Sequence, residues 1–210
     1  MKEYQCIIFD CDGVLVDSQA LSDQVLTKMV HEFVPEADMA SLLTKQEGAS
    51  LQSTFAAISS AFAMDIPEDF ETTYRKRTSD AFSTHLQPIP GIKEVLDAVK
   101  LPKCVASSGP QFKIRANLKI TGLLQYFGHH IFSAYDIRKW KPDPGVFLLA
   151  AEKMGFEVEE CLVIEDTNHG VEAALSGGFD VVRLERFGKP NNPKANYVVS
   201  QALDILKILD

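Results

Sequence analysis

The chain has 210 residues, 46% of them hydrophobic and 24% charged, with a formal net charge of −8. That length fits one large domain or a core with an inserted module, and the apolar content argues against disorder. The acidic balance, with no basic run beyond Arg75-Lys76-Arg77, argues against a nucleic-acid partner, and no apolar stretch approaches the roughly 20 residues of a membrane span.

Met1-Lys2-Glu3 leads into an apolar run too short for a signal peptide. The run Cys6-Ile7-Ile8-Phe9 stops at a carboxylate and predicts a buried strand of a parallel sheet. Asp10, Asp12 and Gly13 follow its carboxyl end, which is where open α/β sheets bind ligands. Gly13 lets the chain bend sharply. Carboxylates gathered there repel unless a cation or proton neutralises them, and hard oxygen donors suit Mg²⁺. An Asp-rich turn without chemistry is the other reading of these residues.

From residue 18 to residue 82 the signal is helical. Ser18 is placed to cap a helix bearing Leu21, Val25, Leu26, Met29 and Val30 at helical spacing. Pro35 ends it or starts the next. Residues 50–64 repeat the pattern through Leu51, Phe55, Ile58 and Phe62, and Pro67 opens a helix that runs to Phe82. Pro88-Ile89-Pro90-Gly91 then punctuates the chain.

Beyond it, helices are expected at 92–99, 112–118, 145–154, 168–176 and 203–209. Strands are expected at 103–106, 131–133, 161–164, 181–184 and 197–199. Such alternation predicts a parallel sheet with helices on both faces. The expected fold is therefore α/β: a Rossmann-like, three-layer αβα core from residues 1–17 and 88–210, with an all-helical module inserted at 18–87. Cys6, Cys11, Cys104 and Cys161 form no C-x-x-C pair, so structural zinc is not expected and all four read as reduced thiols of a cytoplasmic protein.

Three further stretches end predicted strands or follow them. The Ser107 hydroxyl and backbone N–H groups near Ser108 and Gly109 can grip phosphate oxygens, or the three residues are a helix-capping turn. Lys141 precedes Pro142, which holds it in extended or turn geometry. There it either neutralises a phosphoryl group or faces water. Glu165-Asp166 closes an apolar run and is hard to justify as packing, although Asp166 or Thr167 can cap the next helix.

Taken together, these stretches resemble the motifs of the haloacid dehalogenase superfamily. Asp10-x-Asp12-Gly13-x-x-x-Asp17 matches the first, Ser107 the second, Lys141-Pro142-x-Pro144 the third and Glu165-Asp166 the fourth. The resemblance implies that Asp10 is a nucleophile that becomes an aspartyl phosphate, and that Asp12 is the general acid and base. It implies a Mg²⁺ site from Asp10, the Asp12 backbone carbonyl, Asp166 and Glu165, with phosphate held by Ser107, Ser108, Gly109 and Lys141. Nearby cations are expected to keep Asp10 ionised at neutral pH. Asn168 stands where the subfamily supplies a hydrogen bond to the site; Asp143 is expected to cap a helix, and Lys139 and His169 to face solvent.

The implied activity is Mg²⁺-dependent hydrolysis of a small phosphorylated metabolite, a sugar phosphate such as 6-phosphogluconate, with a helical cap, hinged near residues 15–18 and 87–91, that closes to exclude bulk water and select substrates. The likeness extends to sugar-phosphate phosphatases through Gly48-Ala49-Ser50-Leu51, Tyr135-Asp136-Ile137 and Lys139-Trp140-Lys141. The closest subgroup resembles β-phosphoglucomutases. Those mutases carry a His and a cap-loop Arg where this chain has Ser22 and Leu51, which favours hydrolysis over phosphotransfer. Asp12 argues against a dehalogenase. A non-catalytic binding protein on this fold would be expected to lose Asp10, Asp12, Lys141 or Asp166, and all are present. Arg75, Lys76 and Arg77 are either a solvated helix face or a group that reaches substrate. Nothing in the residues predicts an oligomeric state.

Overall fold

The computed structural model describes residues 3–46, 51–186 and 195–209. Gly48, Ala49 and Ser50 of the expected cap loop lie outside them. The chain divides into two compact units: Met1–Asp17 with Gln87–Asp210, and the inserted Ser18–Leu86.

The first unit is built on a six-stranded sheet: β1 (Cys6–Phe9), β2 (Lys103–Ser107), β3 (Ile131–Ser133), β4 (Cys161–Glu165), β5 (Asp180–Leu184) and β6 (Tyr197–Val199), in the order β3-β2-β1-β4-β5-β6. Each neighbouring pair is parallel. In such a sheet the connections run outward in both directions from the middle, and a crevice opens between β1 and β4 at their carboxyl ends. The central strands are buried on both faces, which is why they read as unbroken apolar runs.

The inserted unit holds α1 (Ser18–His31), α2 (Met39–Lys45), α3 (Leu51–Phe62) and α4 (Phe70–His85). The apolar stripe of α1 meets Met39, Leu42, Phe55, Ile58 and Phe70 in a core of its own. Phe55 packs edge-on against Phe70, ring centroids 5.2 Å apart. Pro67 does not open α4 as expected: it lies in a turn, its carbonyl accepting from Phe70 N–H at 3.0 Å, and the helix starts at Phe70. Arg75 and Lys76 pair with Glu71 and Asp80 one turn away, and Arg77 pairs with Glu32.

The remaining helices belong to the first unit: α5 (Ile92–Ala98), α6 (Gln111–Ile120), α7 (Ala134–Ile137), α8 (Gly145–Met154), α9 (Asn168–Ser176) and α10 (Leu206–Leu209). On one sheet face Cys6, Ile8, Cys104, Ala106, Cys161, Val163 and Val181 pack with Val146, Phe147, Ala150, Val171 and Ala174 of α8 and α9. The alternate residues Ile7, Phe9, Leu162, Ile164 and Val182 are buried on the other face, where Phe9 meets Phe127 edge-on. All four cysteines are buried free thiols. Among the described residues no helix is long and apolar enough to cross a membrane.

Candidate active site

Asp10 directly follows β1 at the crevice between β1 and β4. Its N–H donates to the Ile164 carbonyl at 2.9 Å, so pairing with β4 continues one residue past the strand. The chain then turns on itself: Gly13 N–H donates to the Val16 carbonyl, and the N–H groups of Leu15 and Val16 to the Cys11 carbonyl. Gly13 has φ +88°, and a Cβ there would stand 2.0 Å from Asp166 Oδ2. Glycine is therefore needed twice over, for the left-handed turn and for the seat of a carboxylate.

Lys141 crosses from the loop before α8 to the same place. Its Nζ lies 2.5 Å from Asp10 Oδ1, 2.6 Å from Glu165 Oε1 and 3.2 Å from the Ala106 carbonyl. Phe147 lies beneath it, 4.6 Å from Nζ to the ring centroid. The Lys141–Pro142 bond is cis. Lys139 is exposed, and Asp143 accepts from Gly145 N–H at 2.8 Å at the start of α8.

Glu165 is 1% exposed, and both of its oxygens are engaged. Oε1 accepts from Lys141. Oε2 accepts from the N–H groups of Asp166 and Thr167 and from the Thr167 hydroxyl, at 2.8, 2.9 and 3.0 Å. Both oxygens are thus engaged within the protein, Oε1 by the same lysine that holds Asp10, and a place for Glu165 among the metal ligands rests on the resemblance alone. Gly170 makes that seat, since a Cβ there would fall 1.8 Å from Glu165 Cδ. Thr167 also caps α9, its Oγ1 accepting from Gly170 N–H at 3.1 Å.

Ser107 is 2% exposed at the end of β2. Its Oγ accepts from Gly109 N–H at 3.1 Å, so that N–H, expected as a phosphate donor, is spent within the turn. The Ser107 hydroxyl proton stays available to a ligand, and Ser108 is half-buried beside it. Ser133 holds the loop from below, donating to the Gly109 carbonyl at 2.7 Å. Sequence reasoning passed over Ser133 and Gly170. The signal for Ser133 was the spacing Ser133-x-x-Asp136, which forms a capping box at α7. Asp17, last of the first motif, makes two 3.0 Å hydrogen bonds to the Arg186 guanidinium.

The electrostatics are lopsided. Four carboxylates, Asp10, Asp12, Glu165 and Asp166, gather at the strand ends, and Lys141 pairs with two of them, Asp10 and Glu165. Burial raises the Asp10 carboxyl; Lys141 opposes the rise, but Glu165 and Asp12 add to it, and the group is pushed up to about 7. Among the protein groups, burial outweighs the lysine in setting the direction of this shift. Burial, and after it Glu165 and Asp10, lift Asp166 well above the usual carboxylate range. Burial works against the Lys141 ammonium, yet Asp10 and Glu165 more than offset it and raise its pKa.

Among the described residues no group of three His, Cys, Asp or Glu side chains forms a metal cage. A set of two carboxylates and a backbone carbonyl, completed by water, asks less of the protein and suits Mg²⁺. One observation fits it: Asp12 Oδ1 and Asp166 Oδ1 are buried without a hydrogen-bond partner.

The model of the haloacid dehalogenase-like hydrolase family matches residues 4–178. Over 182 residues the chain is 31% identical to the 6-phosphogluconate phosphatase of Escherichia coli (strain K12), covering 86% of this chain and 82% of that protein. It is 28% identical over 180 residues to the phosphorylated carbohydrates phosphatase of Thermotoga maritima, covering 84% and 82%. In fold it is similar to a haloacid dehalogenase-like protein of Agrobacterium tumefaciens (strain C58), with a TM-score of 0.88 at 25% identity over 98% of this chain and 97% of that chain.

Proposed function

Since the chain belongs to the haloacid dehalogenase-like hydrolase family, we propose that it is a Mg²⁺-dependent phosphatase that hydrolyses a small phosphorylated sugar through an aspartyl phosphate on Asp10. The observation that carries this reading is the pairing at the β1/β4 crevice. One carboxylate is gripped by a buried lysine, beside two carboxylates whose buried oxygens have no protein partner.

Asp10 attacks phosphorus, forming an O–P bond as the bond to the sugar oxygen breaks. Asp12 gives its proton to the departing oxygen. It then takes one from water, whose oxygen attacks the aspartyl phosphate, releasing inorganic phosphate and restoring Asp10. Lys141 and the Ser107 hydroxyl hold the equatorial oxygens, where charge lies during transfer. Asp10, Asp166 and the Asp12 backbone carbonyl would hold Mg²⁺, which when bound neutralises charge between nucleophile and phosphate. Glu165 keeps Lys141 aimed at Asp10.

The substrate class rests on the relatives, named as phosphatases of 6-phosphogluconate and of phosphorylated carbohydrates. Buried free thiols suit a reducing compartment. The test is phosphate release from a panel of sugar phosphates, 6-phosphogluconate first, with nucleotides and phosphorylated acids as controls, in Mg²⁺ and in EDTA. Release from sugar phosphates that EDTA abolishes is expected. Interconversion of glucose 1- and 6-phosphates without phosphate release would overturn hydrolysis in favour of phosphotransfer. Release that EDTA leaves untouched would overturn the metal.

A further inference from the structure

β5 reads Val181-Val182-Arg183-Leu184, a charged residue inside an apolar strand. Arg183 is the register partner of Glu165 on β4, so the two side chains leave the same face of the sheet. It is 3% exposed. A buried guanidinium is costly unless its donors and charge are answered. Here Nη1 donates to Asn168 Oδ1 at 2.7 Å, while Nε lies 3.9 Å from Glu185 Oε2 and has no hydrogen-bond partner.

Asn168 opens α9 two residues after Asp166. The guanidinium therefore ties the first residue of α9 to β5, while Glu165 and Thr167 brace the preceding turn from within. It also brings a second fixed cation to the strand ends, where four carboxylates gather. A residue whose one hydrogen bond among the described residues goes to the helix start two residues after Asp166 is poorly explained as packing alone.

We infer that Arg183 is a positioning residue: through Asn168 it fixes Asp166 where a divalent cation is bound. This rests on the Mg²⁺ reading above. The test is calorimetric titration of the full chain with Mg²⁺ alone, without substrate, for wild type, Arg183→Met, Arg183→Lys, Asn168→Ala and the Arg183→Met/Asn168→Ala double variant.

Arg183→Met and Asn168→Ala are each expected to weaken Mg²⁺ binding by about tenfold, the loss seen when the partner of a ligand's support is removed. The double variant should be no weaker than Arg183→Met, since both break one link. Arg183→Lys should recover part of the affinity, and with a substrate from the panel kcat should fall while KM stays within twofold. An Arg183→Met variant with a native circular-dichroism spectrum and wild-type Mg²⁺ affinity would overturn the inference. If that variant does not fold, Asn168→Ala decides, because Asn168 is exposed; unchanged affinity there overturns it equally. A wild type that binds no Mg²⁺ would instead bring down the functional proposal, and the inference with it.

Discussion

Asp10 is where the proposed chemistry can be removed with least disturbance to the fold. Asn keeps its size and one acceptor for Lys141 while losing the nucleophilic oxygen. Asp10→Asn is expected to lower kcat by more than about 10³-fold, as loss of a nucleophile does elsewhere, with circular dichroism unchanged. A variant that still turns over at a tenth of the wild-type rate would sink the assignment. The placing of Asp10 and Asp166 at strand ends was legible because carboxylates that close apolar runs have no packing explanation; their roles come from the resemblance. The bonding of Glu165 was not legible. Its bonds to Lys141, 24 residues earlier, and to the N–H groups and hydroxyl of the next two residues depend on the fold, and a neighbouring pair of acids does not show them. Arg183 was illegible for a related reason: nothing in Val181-Val182-Arg183-Leu184 says which strand lies alongside.

At the level of elements, α9 depends on one threonine with two tasks. Thr167 Oγ1 accepts from Gly170 N–H and donates to Glu165 Oε2. Thr167→Ala is expected to cost about 1 kcal/mol of stability, the ordinary worth of an N-cap, and to lower activity because Glu165 loses one of its three holds on Oε2. Thr167→Ser should restore both; urea unfolding and kcat together check it, and an alanine variant unchanged in either would refute the shared role. Helices with an apolar stripe, such as α1 and α3, were readable from spacing alone. The short α7 was not, because a single turn has no periodicity to read and its signal lies in the Ser133 capping box. The start of α4 was misplaced by Pro67, which suits a turn as well as a first helical position.

For the molecule as a whole, the raised Asp10 carboxyl makes stability depend on pH when no metal is present. The unfolded chain sheds this proton near the ordinary value of 3.8, the folded chain only near 7. Between those values the folded state binds the extra proton, so stability falls as pH rises through the window and levels off above it. In EDTA the unfolding midpoint is expected to be several degrees lower at about pH 8 than at about pH 5, to vary less in Asp10→Asn, and to recover at pH 8 with Mg²⁺. A midpoint that does not move with pH in EDTA would refute this.

The inserted unit leaves and returns at one point. Asp17 N–H donates to the Gln87 carbonyl at 2.9 Å, and Val16 bridges Pro88. Yet β1 must find β2, Ile7 against Lys103, across the whole of Ser18–Leu86. An unstructured excursion of that length carries a closure entropy that grows slowly with its length, and distant strand pairing is slow to form. With a core of its own around Phe55, Ile58 and Phe70, the excursion can collapse first and then count as a short connection. The expected consequence is kinetic: the insert should assemble before the sheet, and the central strand pair that carries Asp10 should close late.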